Sequence, residues 1–253
     1  MKITPLHTSK IEAGATTIGA VLDTAFTTLP ERSVVVVTSK IIALCDNRVA
    51  LIAGTDREAL IRQQSSWYHD PPADTQFRYH FTISQNTLIP AAGIDISNGN
   101  GYYVLWPANA VASANHIRRH LTKRFGVKAL GVIVTDSTIS LSRWGTQGIA
   151  IGHSGFKAVN SYIGQPDLFG QTLQLSQANL AGGLAAAAVV VMGEGAEQTP
   201  LALIENPPNL EFHARDCTPE ELKAYYVSPL QDEPFMPCFT AVQWRRGGQP
   251  INS

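Results

Sequence analysis

The stretch Gly131-Val-Ile-Val-Thr-Asp136-Ser137 constrains the fold more than any other part of the chain. An apolar, mostly β-branched run of this kind reads as a strand buried on both faces. It leads directly into a carboxylate and a hydroxyl. The carboxyl ends of buried strands are where α/β proteins place their ligands. Asp136 therefore has two readings, a cap on the next turn or a ligand for a metal ion. Two further acidic loops, Ala92-Gly-Ile-Asp95-Ile-Ser-Asn98 and Met192-Gly-Glu194-Gly-Ala-Glu197, keep the second reading open. We read the chain as organised around the meeting of these three loops.

A second apolar run, Ser33-Val-Val-Val-Val-Thr-Ser-Lys40, predicts another strand that ends in hydroxyls and a lysine. Residues 48–52 are expected to pair with it. Helices are expected over residues 16–28, 56–67 with Asp56 as N-cap, 176–192, and after Thr218 with Pro219 at the first position. Val111, Ala114, Ile117, Leu121 and Phe125 recur at helical spacing ahead of Gly126, which suits a helix C-terminus. Shorter strands are expected in 79–89, 149–152, 201–204 and the aromatic stretch before Pro107. The expectation is a mixed α/β fold in one unit over residues 1–253, with a frayed tail from Trp244.

Several function classes drop out. A net charge of -1 leaves no electrostatic footprint for nucleic acid or an anionic membrane. The most apolar run, 180–192, is shorter than the roughly 20 residues of a membrane span. Met1-Lys-Ile-Thr-Pro5 lacks the apolar core of a signal peptide, so the expected location is cytoplasmic. Cys45, Cys217 and Cys238 form no CxxC pair, which argues against a thiolate zinc site. Gly152-His-Ser154-Gly-Phe156 puts a phenylalanine where a nucleophile elbow requires glycine. Residues 189–197 imitate a dinucleotide-binding turn, but a helix is expected before them and Gln198 takes the third glycine position. No Walker lysine follows a glycine loop. His116 and His120 lack the glutamate of a zinc-protease helix and read as a surface pair.

What remains is a set of hard oxygen donors on separate loops: Asp95, the adjacent pair Asp136 and Ser137, and Glu194 between two glycines. Such a set suits Mg²⁺ or Mn²⁺. Lys40 and Arg143 are candidates to neutralise phosphates.

These residues carry a resemblance. The chain resembles the nucleotide-dependent γ-glutamyl ligases typified by the enzyme that adds glutamate to the deazaflavin coenzyme F-420. The resemblance runs in order through Val-Val-Thr-Ser-Lys40, Ala-Gly-Ile-Asp95-Ile-Ser-Asn98, Val-Ile-Val-Thr-Asp136-Ser, Arg143 with Gly145, Ile-Ala-Ile-Gly152, Asp167-Leu-Phe-Gly170 and Val-Met-Gly-Glu194. It implies an unusual α/β fold, an intertwined homodimer, GTP or ATP as co-substrate, and two Mg²⁺ or Mn²⁺ ions. It places Asp95 and Asp136 on one metal, Ser137 and Glu194 on the second, and Arg143 in catalysis. It places Ser39, Lys40, Asn98, Gly193, Gly195 and Glu197 at the nucleotide.

This chain departs from the deazaflavin-ligase pattern. Leu44 stands where the family often has a second lysine, Ser140 where it has arginine, and Gly148 where it has aspartate. Gly182-Gly183 replaces an acidic pair. The stretches around Trp106, Trp144 and Pro200 look closer to a sister group assigned to folate metabolism. The expectation is therefore a ligase that joins L-glutamate to a folate-type acceptor through an acyl phosphate, with the deazaflavin precursor as the alternative acceptor. Gly182-Gly183 is either a packing feature or space for a flat ring, with Tyr102, Tyr103, Trp106 and Trp144 as candidates to stack on it. The competing classes are a non-catalytic nucleotide-binding regulator and a metal-dependent phosphohydrolase.

Overall fold

The two valine-rich runs lie side by side. The computed structural model describes residues 1–71, 79–226 and 242–248. In chain order the first elements are β1 (Lys2–Leu6), α1 (Ile18–Ala25), β2 (Ser33–Thr38), α2 (Ser39–Cys45), β3 (Val49–Leu51), α3 (Arg57–Gln64) and β4 (Trp67–His69). β5 (Phe81–Ser84), β6 (Thr87–Pro90), β7 (Tyr102–Val104), α4 (Ala110–Phe125), β8 (Leu130–Ile139) and β9 (Thr146–Ser154) follow. The remainder is β10 (Val159–Ser161), β11 (Gln177–Asn179), α5 (Leu180–Met192), β12 (Leu201–Glu205), α6 (Pro219–Tyr225) and β13 (Arg245–Arg246).

The main sheet has the order β1-β12-β2-β8-β9. β2 and β8 are parallel and the other pairings are antiparallel. Alternation explains why both runs are continuously apolar. Val35, Val37, Val132 and Val134 face a core with Leu22 of α1, Ile42 of α2 and Ile117 and Leu121 of α4. Val34, Val36 and Ile133 face the opposite core, under Ala181, Ala185 and Ala188 of α5. The alanines of α5 let it approach closely. A Cβ on Gly148 of β9 would meet the Ala185 carbonyl and the Val189 side chain at 2.5–2.8 Å. Gly148 is thus bound up with close helix–sheet packing.

A smaller antiparallel sheet, β13-β4-β5-β6, and the β3–β7 pair complete the fold. Leu60 and Ile61 of α3 pack there against Ala91, Ala92, Ile94, Tyr103 and Leu105. Helix ends follow their sequence signals. Asn109 caps α4 and Gly126 closes it in the left-handed region. Asp56 caps α3, and Thr218 with Glu221 forms a capping box on α6.

Five details differ from expectation. Helix α5 begins at Leu180 rather than 176, because residues 177–179 form β11 and Asn179 caps the helix. Lys40 does not end a strand but lies in the first turn of α2. Residues 49–51 pair with β7 rather than β2. Trp67 belongs to a strand because α3 stops at Gln64. Tail residues 245–246 pair with β4, and the Gly247 and Gly248 amides bond the Ser66 and Arg62 carbonyls. Residues 249–253 and Cys238 lie outside the described residues.

Behind the sheet, His153 is fully buried. Its ring contacts Phe156 and Tyr225, with centroids 5.5 and 5.0 Å away. Neither ring nitrogen has a hydrogen-bond partner among the described residues. Burial pushes the imidazole down to about 4; Glu221 opposes this and His213 reinforces it. The folded state therefore holds His153 neutral while the unfolded chain protonates it near pH 6.5. Stability is complete above that value and falls as pH drops toward 4, by about 3 kcal/mol from this group. Denaturant midpoints measured from pH 7 to 4 should decline more steeply in the natural protein than in His153→Phe. Parallel curves would remove His153 as the cause.

Candidate functional site

The parallel pair sets the position of the site. β2 ends at Thr38, opposite Thr135 of β8, and the chain turns into α2. A register shift between Val134 and Thr135 carries β8 onward alongside β9. Asp136 and Ser137 follow at once, beyond the end of β2 and beside the first turn of α2. The loop from Gly93 to Asn98 closes one side, and the glycine loop after α5 closes another. These elements enclose a cleft of about 900 Å³.

Lys40, Asp95, Ser97, Asn98, Asp136, Ser137, Gly193, Glu194, Gly195 and Glu197 all line it. The Lys40 ammonium donates to Asp95 Oδ2 at 2.6 Å, Ser97 Oγ at 2.8 Å and the Ser97 carbonyl at 2.9 Å. The Ser97 amide bonds Asp95 Oδ1 at 2.8 Å, so Asp95 also shapes its own turn. Ser137 Oγ lies 2.9 Å from both Glu194 carboxylate oxygens, and Thr146 Oγ1 donates to Glu194 at 3.1 Å. Asn98 Nδ2 donates to the Gly195 carbonyl at 3.0 Å, tying the Asp95 loop to the glycine loop. The Gly195 amide in turn donates to Glu197 Oε2 at 2.8 Å.

The two aspartates differ electrostatically. Burial raises Asp95, but the Lys40 ammonium and the Ser97 donors overcome it and hold the carboxyl below its ordinary value. Burial pushes Asp136 up to about 6, against the pull of the Trp106 indole and the Ser137 amide. The Asp95 charge adds to the rise, which places the two carboxylates within each other's field. Trp106 Nε1 donates to Asp136 Oδ2. The indole is buried against Gly93, where a Cβ would collide with it and where φ is +72°. Gly93 thus seats the residue that orients Asp136.

Two expected residues are not brought to the cleft. Ser39 is buried in α2 and is not part of the wall, where Thr38 stands instead. Arg143 is exposed at the tip of the β8–β9 hairpin, with its guanidinium on the Ser142 carbonyl. That turn carries Ser142 and Gly145 at positive φ and projects beyond both strands. The Gly182-Gly183 pair lies outside this cleft as well. Gly182 packs on its cap Asn179, Gly183 faces open space, and neither lines the cleft. Tyr103 and Trp106 are core residues, and only Tyr102 reaches a small pocket beside the cleft. Trp106 as an Asp136 donor, Ser97 and Thr146 add to the residues expected from sequence. Ser97 alone had a local signal, its position two residues after Asp95.

The carboxylates of Asp95, Asp136 and Glu194 with the hydroxyls of Ser97, Ser137 and Thr146, and no thiolate or imidazole beside them, are the donor types a hard divalent cation takes. Among the described residues, no three His, Cys, Asp or Glu side chains stand together as a ready-made ligand cluster. The carboxylates are instead held by Lys40, Trp106, Ser137 and Thr146.

Comparison with known proteins matches the chain to one family. The family model described as F420-0:Gamma-glutamyl ligase matches residues 5–206. The chain is 39% identical over 132 residues to the coenzyme F420:L-glutamate ligase of Methanosarcina mazei, covering 52% of this chain and 51% of that one. Identity to the enzyme of the same name from Methanosarcina barkeri is 32% over 191 residues, covering 70% and 74%. For the Archaeoglobus fulgidus enzyme it is 40% over 114 residues, 45% of each chain. The chain thus spans about half the length of several curated relatives it matches. The family match contains Lys40, Asp95, Asp136 and Glu194 within a span of most of the chain, so the protein belongs to the F420-0:gamma-glutamyl ligase family.

Proposed function

We propose that this protein ligates L-glutamate to a carboxylate of a deazaflavin coenzyme precursor, using GTP or ATP and Mg²⁺ or Mn²⁺. The relatives described above all carry the coenzyme F420 name, which favours the deazaflavin acceptor over the folate-type acceptor expected from sequence. The observation that carries the reading is convergence. Lys40 of α2, Asp95 of the loop before β7, Asp136 and Ser137 of β8, and Glu194 of the loop after α5 face one cleft large enough for a nucleotide.

The acceptor carboxylate attacks the γ-phosphorus of the nucleotide, giving an acyl phosphate and a nucleoside diphosphate. The glutamate amine then attacks the acyl carbon, phosphate leaves, and the nitrogen loses a proton. Asp95, Asp136, Ser137 and Glu194 would hold divalent cations. Bound there, the cations supply charge neutralisation between an anionic attacker and an anionic phosphate. Lys40 serves the phosphates as a mobile point charge. The Gly193–Glu197 loop would lie beside the nucleotide, with the Glu197 carboxylate folded back over Gly193 and onto the Gly195 amide. Phosphate release that requires glutamate and acceptor together supports a ligase. Release without glutamate indicates a phosphohydrolase, and nucleotide binding without any release indicates a regulator.

The homodimer belongs to the same proposal. Residues 159–179 form a projecting hairpin, from the β10–β11 pair out to the Pro166–Thr172 bridge. Its outer part carries Leu168, Phe169 and Leu175, which are 98%, 91% and 87% exposed. An apolar arm of this kind suits a second copy of the chain. Leu168→Asp with Phe169→Asp should convert a dimer to a monomer in sedimentation velocity. A monomeric natural protein, or a variant that remains dimeric, removes the arm from the interface.

A further inference from the structure

Lys40 spends all three ammonium donors on the Asp95 loop, on Asp95 Oδ2, Ser97 Oγ and the Ser97 carbonyl. Its side chain is 24% exposed, at the edge of the cleft. Asp95 Oδ2 also accepts the Ser97 hydroxyl at 2.8 Å, and Oδ1 accepts the Ser97 amide. The Asp95 carboxylate is therefore already neutralised by a cation of the protein's own. A divalent ion needs the same oxygen lone pairs at a shorter distance, and it repels an ammonium held a few ångströms away. The lysine stem is four flexible carbons rooted in the first turn of α2, so the ammonium can leave without moving the backbone.

We propose that Lys40 is an internal counter-ion that competes with the divalent cation for Asp95 and is released onto the nucleotide phosphates when both ligands enter. The inference rests on the assignment of Asp95 and Asp136 to a cation. A cation entering alone displaces the ammonium from its partners and gives it none in return. A nucleotide supplies the new partner. Cation and nucleotide binding are thereby coupled through one side chain, and the coupling acts equally in both directions. Lys40 is on this account both a phosphate ligand and a device that keeps the carboxylate pair from holding a cation before nucleotide arrives.

The test is Mn²⁺ affinity in the absence of nucleotide, measured by the electron paramagnetic resonance of free Mn²⁺. Lys40→Met should bind Mn²⁺ about tenfold more tightly than the natural protein, the scale of one charge-assisted hydrogen bond lost to a competitor. Lys40→Gln, which keeps donors but removes the charge, should do the same and covers the event that the methionine variant misfolds. Asp95→Asn in either background should abolish the gain. Both lysine variants should bind a non-hydrolysable nucleotide more weakly. Unchanged or weaker Mn²⁺ binding in the lysine variants, with Asp95→Asn still weakening it, overturns the counter-ion role and leaves the cation site standing. Mn²⁺ binding indifferent to both Asp95→Asn and Asp136→Asn overturns the cation site and this inference with it.

Discussion

Asp136→Asn is expected to lower glutamate ligation by about a thousandfold, equivalent to several kcal/mol of transition-state stabilisation. The thermal midpoint should stay level or rise. Both effects come from the same local chemistry. Asp136 follows the end of the β2–β8 pairing and faces the cleft beside Asp95 and Lys40. Its charge would serve the proposed cation, yet burial disfavours that charge and pushes the carboxyl up to about 6. An asparagine keeps an oxygen for the Trp106 indole, which Asp136 accepts now, and removes the buried charge. Loss of activity with intact stability is the signature of a functional rather than a structural carboxylate. A variant that unfolds, or that retains activity, would make Asp136 a structural partner of the Trp106 indole within β8. Steady-state kinetics and a melting curve on the same preparation decide it.

Gly152→Val is expected to do the reverse, damaging the fold first. A Cβ at Gly152 would lie 2.5 Å from the carbonyl carbon and oxygen of Ala110, and 2.9 Å from the Val111 nitrogen. Those atoms belong to the first turn of α4, fixed by the Asn109 cap. Backbone cannot rotate aside as a side chain can, so α4 must lift off β9. Its Ala110, Ala114, Ile117 and Leu121 would then withdraw from the sheet. The cost is about 3 kcal/mol or more by overpacking, or roughly 10 °C in melting temperature for a chain of this size. Calorimetry that finds the midpoint unchanged would mean the helix has slack the structure does not show.

Periodicity made the main sheet legible because Val34 to Val37 are buried on both faces, which only a central strand requires. It also made α4 legible, since its apolar stripe and its glycine stop agree. α2 escaped notice because seven residues, five of them buried, give no polar face to reveal a helical period. The partner of β3 is not legible, because a three-residue strand carries no pairing information of its own. At the site, acidic loops announced themselves by composition. Trp106 did not, because a tryptophan that orients a carboxylate has the same sequence appearance as one that fills a core. Arg143 is a candidate by its charge beyond the central strand and by the family resemblance, but it stands exposed in the β8–β9 hairpin and is not among the residues that line the cleft.

The central claim is that one cleft joins L-glutamate to an acceptor carboxylate at the expense of a nucleotide. Mass spectrometry of the deazaflavin precursor, incubated with protein, nucleotide, Mg²⁺ or Mn²⁺ and L-glutamate, addresses it directly. The account predicts acceptor heavier by whole glutamyl units, in a reaction that stops when nucleotide, cation or glutamate is withheld and when Asp136 is replaced by asparagine. An acceptor of unchanged mass under the complete mixture, while nucleotide is consumed without glutamate, would contradict it.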